Sequence, residues 1–341
     1  MKKNLLALAA MAAMAASGAA MAQSNVTVYG LVDAYVGSTK DTTKTANAPS
    51  QSVVGSGGLK TSRWGIKGSE DLGGGLKAGF QLEQGFNSDD GSAGANGVQF
   101  DRRAQVSLSG SFGTVVLGRT YTPYYELRDA TDNTAGLNIG SARDTFKTAR
   151  ADYSDKLSNV IAYASPNFSG FSGAIAVGLG ENKNDPATNA NSDATNHVSL
   201  HLKYANGPLL VGYGHQSEKA LKGAKSTDYN LFAASYDFGV AKLVGSYQDV
   251  DHAAGKDKDY QFGVSAPVGG ATVFFGYANA KSENLAGATA AKATGYDLAA
   301  SYPLSKRTDL YAGYKAINKK NGAGVKSGEI RVLALGVRHV F

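Results

Sequence analysis

From Asn25 onward, apolar and polar residues alternate one by one in short runs. In SRWGIKG (62–68), Trp64 and Ile66 share one parity, and Arg63, Gly65 and Lys67 the other. In LKAGFQLEQG (76–85), Leu76, Ala78, Phe80 and Leu82 oppose Lys77, Gly79, Gln81 and Glu83. In RAQVSLSG (103–110), Ala104, Val106 and Leu108 oppose Arg103, Gln105, Ser107 and Ser109. Successive side chains of a strand point to opposite faces, so a period of two predicts strands with one apolar and one polar face. Sixteen such runs are predicted: 25–36, 58–69, 75–87, 99–110, 113–121, 156–165, 171–180, 195–205, 208–217, 226–238, 240–250, 258–267, 271–281, 293–302, 306–317 and 328–341. The class is all-β.

The connections narrow the architecture. Short ones such as EDLGGG, GSF, VGG and PLS alternate with longer polar ones such as STKDTTKTANAPSQSVVGSG, ENKNDPATNANSD and KSENLAGATAA. Seven short and eight long connections put both ends of the sixteen strands on the short-turn side. That asymmetry predicts an antiparallel transmembrane β-barrel, with short periplasmic turns and long external loops. A soluble sheet of sixteen strands carries more apolar face than polar loops can cover. In a barrel the same face meets lipid and the interior is wet. Arg or Lys facing mid-bilayer costs ~2–4 kcal/mol each, so Arg63, Lys67, Lys77 and Arg103 are expected to face the lumen. In the terminal segment RVLALGVRHVF, Leu333, Leu335, Val337, His339 and Phe341 share the outward parity, and this strand is expected to pair back onto the first.

Composition changes the picture at the ends and excludes several chemistries. Residues 1–22 read as a secretory signal: Lys2 and Lys3, then the apolar run LLALAAMAAMAA, then Ala20-Met21-Ala22 as a cleavage site. The mature chain, 23–341, is expected to be one barrel domain, its formal charge of +6 becoming +4 once Lys2 and Lys3 are removed. Cysteine is absent, which removes thiol nucleophiles and Cys-based metal sites. His197 and His201 stand four apart on a strand, not a helix, and read as lumen or rim residues. The Asn- and Asp-rich stretch ENKNDPATNANSD lacks the glycine and bidentate Glu of a calcium loop. No Ser-His-Asp set is apparent, and no metal or cofactor is expected. The pI of ≈ 9.1 comes from charges spread through strands, not a nucleic-acid patch.

Five stretches carry a family resemblance: VTVYGLVDAYV, SRWGIKGSEDLGGGLKAGFQLEQGF, FDRRAQVSLSGSFGTVVLGR, NVIAYASPNFSGFSG and the terminal aromatic. In this order they resemble Gram-negative general porins of the beta-proteobacterial type. The resemblance implies a sixteen-stranded, homotrimeric outer-membrane channel for passive diffusion of small hydrophilic solutes and ions. It also implies neighbours in outer-membrane lipid and lipopolysaccharide, and a terminal Phe341 read by the barrel assembly machinery. Two other readings stay open, an outer-membrane barrel enzyme and a soluble secreted β-rich binding protein.

The longest connection, residues 122–155, follows the fifth predicted strand, and the resemblance implies that this third external loop folds into the barrel as a constriction. Irregular backbone at membrane depth is tolerated where it lines water. The resemblance implies a basic wall of Arg63, Arg103 and Lys156. An acidic face is expected on the loop from Asp129 and Asp132, with Glu126 next. With Lys67 and Lys77 elsewhere in the lumen, the basic excess predicts weak anion preference. Arg119 shares parity with Val115 and Leu117 and is expected outside.

Overall fold

Each alternating run becomes a strand in the computed structural model, which describes residues 25–94, 98–132, 134, 137–140, 142–149, 152–180, 196–219 and 224–341. The expected signal segment, residues 1–22, and the ENKNDPATNANSD stretch lie outside these residues. The first strands are β1 (Asn25–Asp41), β2 (Gln51–Ser56), β3 (Arg63–Gly73), β4 (Leu76–Gly85), β5 (Arg103–Gly110) and β6 (Gly113–Tyr121). Two helices, α1 (Pro123–Ala130) and α2 (Ala142–Ala149), interrupt the series. Then come β7 (Lys156–Ala164), β8 (Phe171–Gly178), β9 (His197–Asn206), β10 (Leu209–Glu218), β11 (Thr227–Asp237) and β12 (Lys242–His252). The last are β13 (Gly255–Val268), β14 (Ala271–Asn284), β15 (Thr289–Pro303), β16 (Thr308–Asn321) and β17 (Lys326–Val340).

The sheet closes on itself. β1 pairs antiparallel with β17, from Leu31 opposite Val340 to Asp41 opposite Ile330. The other edge of β1 is shared: Asn25–Leu31 pair with β3, and Ala34–Thr39 pair with β2. β2 and β3 therefore fill one position of the ring, and the seventeen strand segments form a closed sixteen-position antiparallel barrel. Among the described residues closure leaves no strand position of the ring without two neighbours, the condition for crossing lipid with strands. Among the described residues no helix is long and apolar enough to cross a membrane.

Strand parity is realised on the outer surface. Val26, Val28, Val36, Leu117, Ile161, Phe232, Phe275, Leu298, Leu333 and Leu335 stand exposed there. Exposure on this scale marks a face that hydrocarbon or another protein surface covers. Phe341 lies over Gly30 at the seam and exchanges two backbone hydrogen bonds of 3.0 Å with it.

Three local readings differ from the sequence expectation. Gln51–Ser56 is strand, although its polar surroundings read as loop; Val53 and Val54 suit the upper half of the second ring position. The stretch 281–291 is mostly strand and turns only over 285–288, where the Asn284 side chain accepts from the backbone N–H of Ala286 and Ala288 at 3.0 Å. The interior is also not uniformly wet. Along β9 to β17 much of the inner wall is apolar and covered by the 122–155 connection.

A candidate constriction between the loop and the barrel wall

Thr122 caps α1: its side chain accepts from the Tyr125 N–H at 3.2 Å, and Pro123 sits in the first helical turn. Helical spacing then sorts the side chains. Tyr124 and Leu127 are buried against the wall and Arg128 is buried within the loop beside Asp152, while Glu126 and Asp129 are exposed to the lumen. Tyr124, Leu127 and Tyr153 pack on Tyr229, Leu231, Ala233 and Val250 of β11 and β12. The Tyr124 hydroxyl donates to Gln248 Oε1 at 2.5 Å, and the Tyr124 N–H donates to Ser199 Oγ at 3.0 Å. His201 meets the Pro123 carbonyl through Nδ1 at 2.9 Å, so this lumen histidine holds the loop.

The rest of the loop is fastened to the same wall. Phe146 of α2 packs on Ala278, Ala280, Ala293 and Ile317. Asp144 pairs with Lys315 of β16, and this cation, with burial opposing it, holds the Asp144 carboxyl below the usual carboxylate range. Gly295 leaves the space that α2 occupies, since a Cβ there would stand 2.0 Å from Thr145 Oγ1. Gln261 Nε2 donates to the Thr131 carbonyl at 2.8 Å.

Opposite, the wall bends inward to meet the loop. Between β2 and β3 the chain turns at Gly57, whose φ of 72° suits glycine, and runs into the lumen over 57–62. Asp33, fully buried, gathers that turn by accepting the N–H groups of Gly58, Leu59 and Lys60 at 3.0, 2.9 and 2.7 Å. Leu59 packs on Leu137 and Ile139 of the loop, and the Ile139 N–H donates to the Gly58 carbonyl at 3.0 Å.

A cavity of ≈ 510 Å³ remains between the bend, the loop and strands β3 to β7. Its cations are Lys60, Arg63, Arg102, Arg103, Arg143 and Lys156, and its carboxylates are Glu83, Asp101, Asp129 and Asp155. Tyr121 organises the basic side: Arg103, Lys156 and Arg102 stand 4.9, 5.3 and 5.5 Å from its ring centroid. Its ring stacks on Tyr125 at 4.6 Å.

Most of the acids here are committed. Glu83 takes Arg102 at 2.7 Å, Arg63 at 3.7 Å and the Tyr29 hydroxyl at 3.0 Å. Asp155 takes Arg143 at 3.1 Å and Lys156 at 3.5 Å. Burial works against its charge, but these two cations outweigh it and hold the Asp155 carboxyl below the usual carboxylate range. Asp101 caps backbone, accepting the Gly85 N–H at 2.7 Å. Arg103 donates to Thr120 Oγ1 at 2.9 Å, and among the described residues no carboxylate lies within 4 Å of it. Asp129 likewise has no cation in ion-pair range among the described residues.

The structure thus brings Arg63, Arg103, Lys156 and Asp129 to one cavity. Glu126 projects into the lumen near Arg103 and Lys203. Asp132 is not brought there: it is buried, and its carboxylate accepts the N–H and hydroxyl of Thr134, both at 3.1 Å. Lys67 and Lys77 line a second polar cavity of ≈ 330 Å³ toward the periplasmic end, with Lys67 5.2 Å from the Tyr29 ring centroid. Arg119 stays out of both cavities, bonded to the Asp101 carbonyl and Ser158 Oγ at 2.7 and 2.8 Å.

Sequence reasoning passes over Arg102, Lys60 and Arg143. Arg102 lies in the predicted run 99–110, where alternation turns it outward with Ala104, but β5 begins only at Arg103; Arg102 sits behind a turn in which Phe100 adopts a φ of 49° and lines the cavity instead. α1 has a readable signal in the Thr-Pro start and the apolar spacing of Tyr124 and Leu127.

Comparison with known proteins agrees with this architecture. A profile of the Gram-negative porin family matches residues 7–322. The chain is 37% identical to outer membrane porin protein 32 of Delftia acidovorans and 33% identical to an outer membrane porin protein of Bordetella pertussis, over the full length of each pair. Its fold matches a solved anion-selective porin from Comamonas acidovorans with a TM-score of 0.79 and 34% identity, covering 94% of this chain and all of the other. A trimer form of OmpT from Vibrio cholerae, 16% identical, shares the fold with a TM-score of 0.66 over 93% of this chain. Closed strand topology, an inward-folded loop and full-length similarity converge: this chain belongs to the Gram-negative porin family and is an outer-membrane β-barrel channel protein.

Proposed function

We propose that this porin passes small hydrophilic solutes and ions by passive diffusion with a weak preference for anions. One observation carries the reading: at the narrow cavity six cations face four carboxylates, three of those acids are already engaged, and Arg103 has no acidic partner among the described residues. A fixed positive excess in a low-dielectric cleft concentrates anions. Arg63, Arg102, Arg103 and Lys156 form the basic side, and Asp129 with Glu126 the acidic side. Lys67 and Lys77 continue the positive path toward the periplasm. The relative from Comamonas acidovorans, described as anion-selective, supports the same direction. Porins of this family are channels, and the residues at the narrow point act on solutes through charge and width.

Three further roles belong to the same reading. Residues 1–22 direct export and are removed, three chains assemble as a trimer, and Phe341 at the barrel seam is read by the assembly machinery. Lipopolysaccharide and phospholipid surround the apolar outer face. The test is the reversal potential of single channels across a KCl gradient in a planar bilayer. A chloride-to-potassium permeability ratio above one is expected; a ratio below one refutes the anion preference.

A further inference from the structure

Along one edge of β1 the pairing is interrupted. This edge pairs with β3 up to Leu31, opposite Arg63, and with β2 from Ala34, opposite Ser56. Only Val32 and Asp33 stand between the two pairings, yet six residues, 57–62, lie across from them. The surplus cannot lie flat in the sheet. Four residues folded out and back, at about 3.3 Å each, reach about 7 Å into the lumen.

Such a turn has no strand partner, so its backbone donors need acceptors elsewhere. Asp33 supplies them, from a residue with no exposed surface. One carboxylate oxygen accepts the Gly58 N–H at 3.0 Å; the other accepts the N–H groups of Leu59 and Lys60 at 2.9 and 2.7 Å. The hydroxyl of Tyr311, on β16, donates to the first oxygen. To arrive there the tyrosine crosses β17 at Gly336, where a Cβ would stand 2.3 Å from its ring. Four donors therefore converge on one buried acid, three from the turn and one from a strand two positions away.

The turn so held joins the loop. Leu59 packs on Leu137 and Ile139, and the Asn138 N–H donates to the Leu59 carbonyl at 3.3 Å. Asn138 Nδ2 donates to the Gly57 carbonyl at 2.7 Å. Lys60 and Thr61, next along the chain, line the ≈ 510 Å³ cavity. Residues 57–61 and 137–139 thus form one bar across the lumen, anchored to the barrel wall at Asp33.

We propose that Asp33 is a positioning residue that sets the width of the pore: with Tyr311 it pins residues 57–62 into the lumen as an inner jaw. The inference rests on the reading that ions cross this cavity, and is independent of which sign of ion is preferred. Asparagine has nearly the same shape but cannot do the same work. Whichever way its amide turns, the NH2 group faces two donors, either Leu59 and Lys60 or Gly58 and Tyr311. The turn then relaxes toward the wall. A jaw about 7 Å long and two strand spacings, about 10 Å, broad covers about 70 Å². A compact cavity of ≈ 510 Å³ has a section of about 64 Å², so release approaches a doubling of the open area.

The test is single-channel conductance of the full barrel in about 1 M KCl, where a screening length of about 3 Å suppresses the effect of the lost charge itself. Asp33→Asn, its folding checked by band shift, is expected to raise conductance by up to about twofold. It should also speed liposome swelling in stachyose relative to arabinose. Ser62→Ala controls for mere loosening. The Ser62 hydroxyl bonds the Asp33 N–H and carbonyl at 3.0 and 3.1 Å but leaves the carboxylate's four donors in place, so this variant should lose stability and keep wild-type conductance. If Asp33→Asn does not fold, Tyr311→Phe keeps the ring, removes one donor and should raise conductance by a smaller factor. Unchanged conductance and swelling in folded Asp33→Asn, or in Tyr311→Phe where it stands in, overturns the proposal. An equal rise in Ser62→Ala overturns it as well. A wider Asp33→Asn channel supports it even if the wild type proves cation-selective, which would refute the anion preference alone.

Discussion

Replacing Arg103 by Gln should shift ion selectivity more than any other single change on the basic wall. Arg63 and Arg102 share the Glu83 carboxylate, and Lys156 shares Asp155 with Arg143. Arg103 is held by Thr120 Oγ1 and the face of Tyr121, neither of which cancels its charge. An anion passing about 5 Å from its guanidinium gains about 0.8 kcal/mol at the dielectric of water. Screening in 0.1 M salt reduces this to about 0.5 kcal/mol, while low-dielectric walls raise it toward about 1 kcal/mol. Loss of the charge then lowers local chloride and raises local potassium by about two- to fivefold each, so the permeability ratio falls between about fivefold and thirtyfold. For Arg63→Gln, where Glu83 already offsets the charge, a change below about threefold is expected. Reversal potentials across a tenfold KCl gradient measure both, and the difference should shrink near 1 M salt, where the screening length is only about 3 Å. An Arg103→Gln channel with a ratio within about twofold of wild type refutes the reasoning. So does a larger effect from Arg63→Gln.

The acids of the loop should separate in the same assay: Asp129→Asn strengthens anion preference, whereas Asp132→Asn leaves selectivity unchanged and lowers stability by about 1–3 kcal/mol, because Thr134 loses a charged acceptor. Gly295→Val should push α2 from the wall, costing about 1–3 kcal/mol and changing conductance, since Thr145 already occupies the space a side chain needs. Acidification should leave the loop's clamps intact well into the ordinary carboxylate range. Asp144 and Asp155 have lowered folded-state pKa values, so their stabilising pairs with Lys315, Arg143 and Lys156 are fully present above the unfolded aspartate pKa of about 3.9 and are lost as pH falls through the lower folded values. Band-shift melting of the folded barrel against pH checks this, and a loss of stability centred above about pH 5 contradicts it.

Where a residue sits within a strand, its facing was readable without coordinates. Alternation alone puts Arg63, Lys67, Lys77 and Arg103 on the lumen side and Leu333 and Leu335 on the lipid side, because the pleat allows two directions and lipid refuses charge. The same rule fails where regular strand stops. Arg102 precedes β5 behind a turn, yet it pairs with Glu83 more closely than Arg63 does from within a strand. Asp132 looks as available as Asp129 in the sequence, but α1 ends between them, and the later residue turns back into the loop toward Thr134.

The chain's pattern of apolar and polar residues by itself determined the sixteen-position ring, its inside and its outside, since these follow from local periodicity and the cost of charge in hydrocarbon. Only the tertiary structure decided which cations remain uncancelled in the cavity between loop and wall, which half of the inner wall the loop covers, and that five lysines spaced along 258–326 fall into one row. Those outcomes depend on register and on pairing between residues far apart in the chain, where a shift of one position reverses every facing.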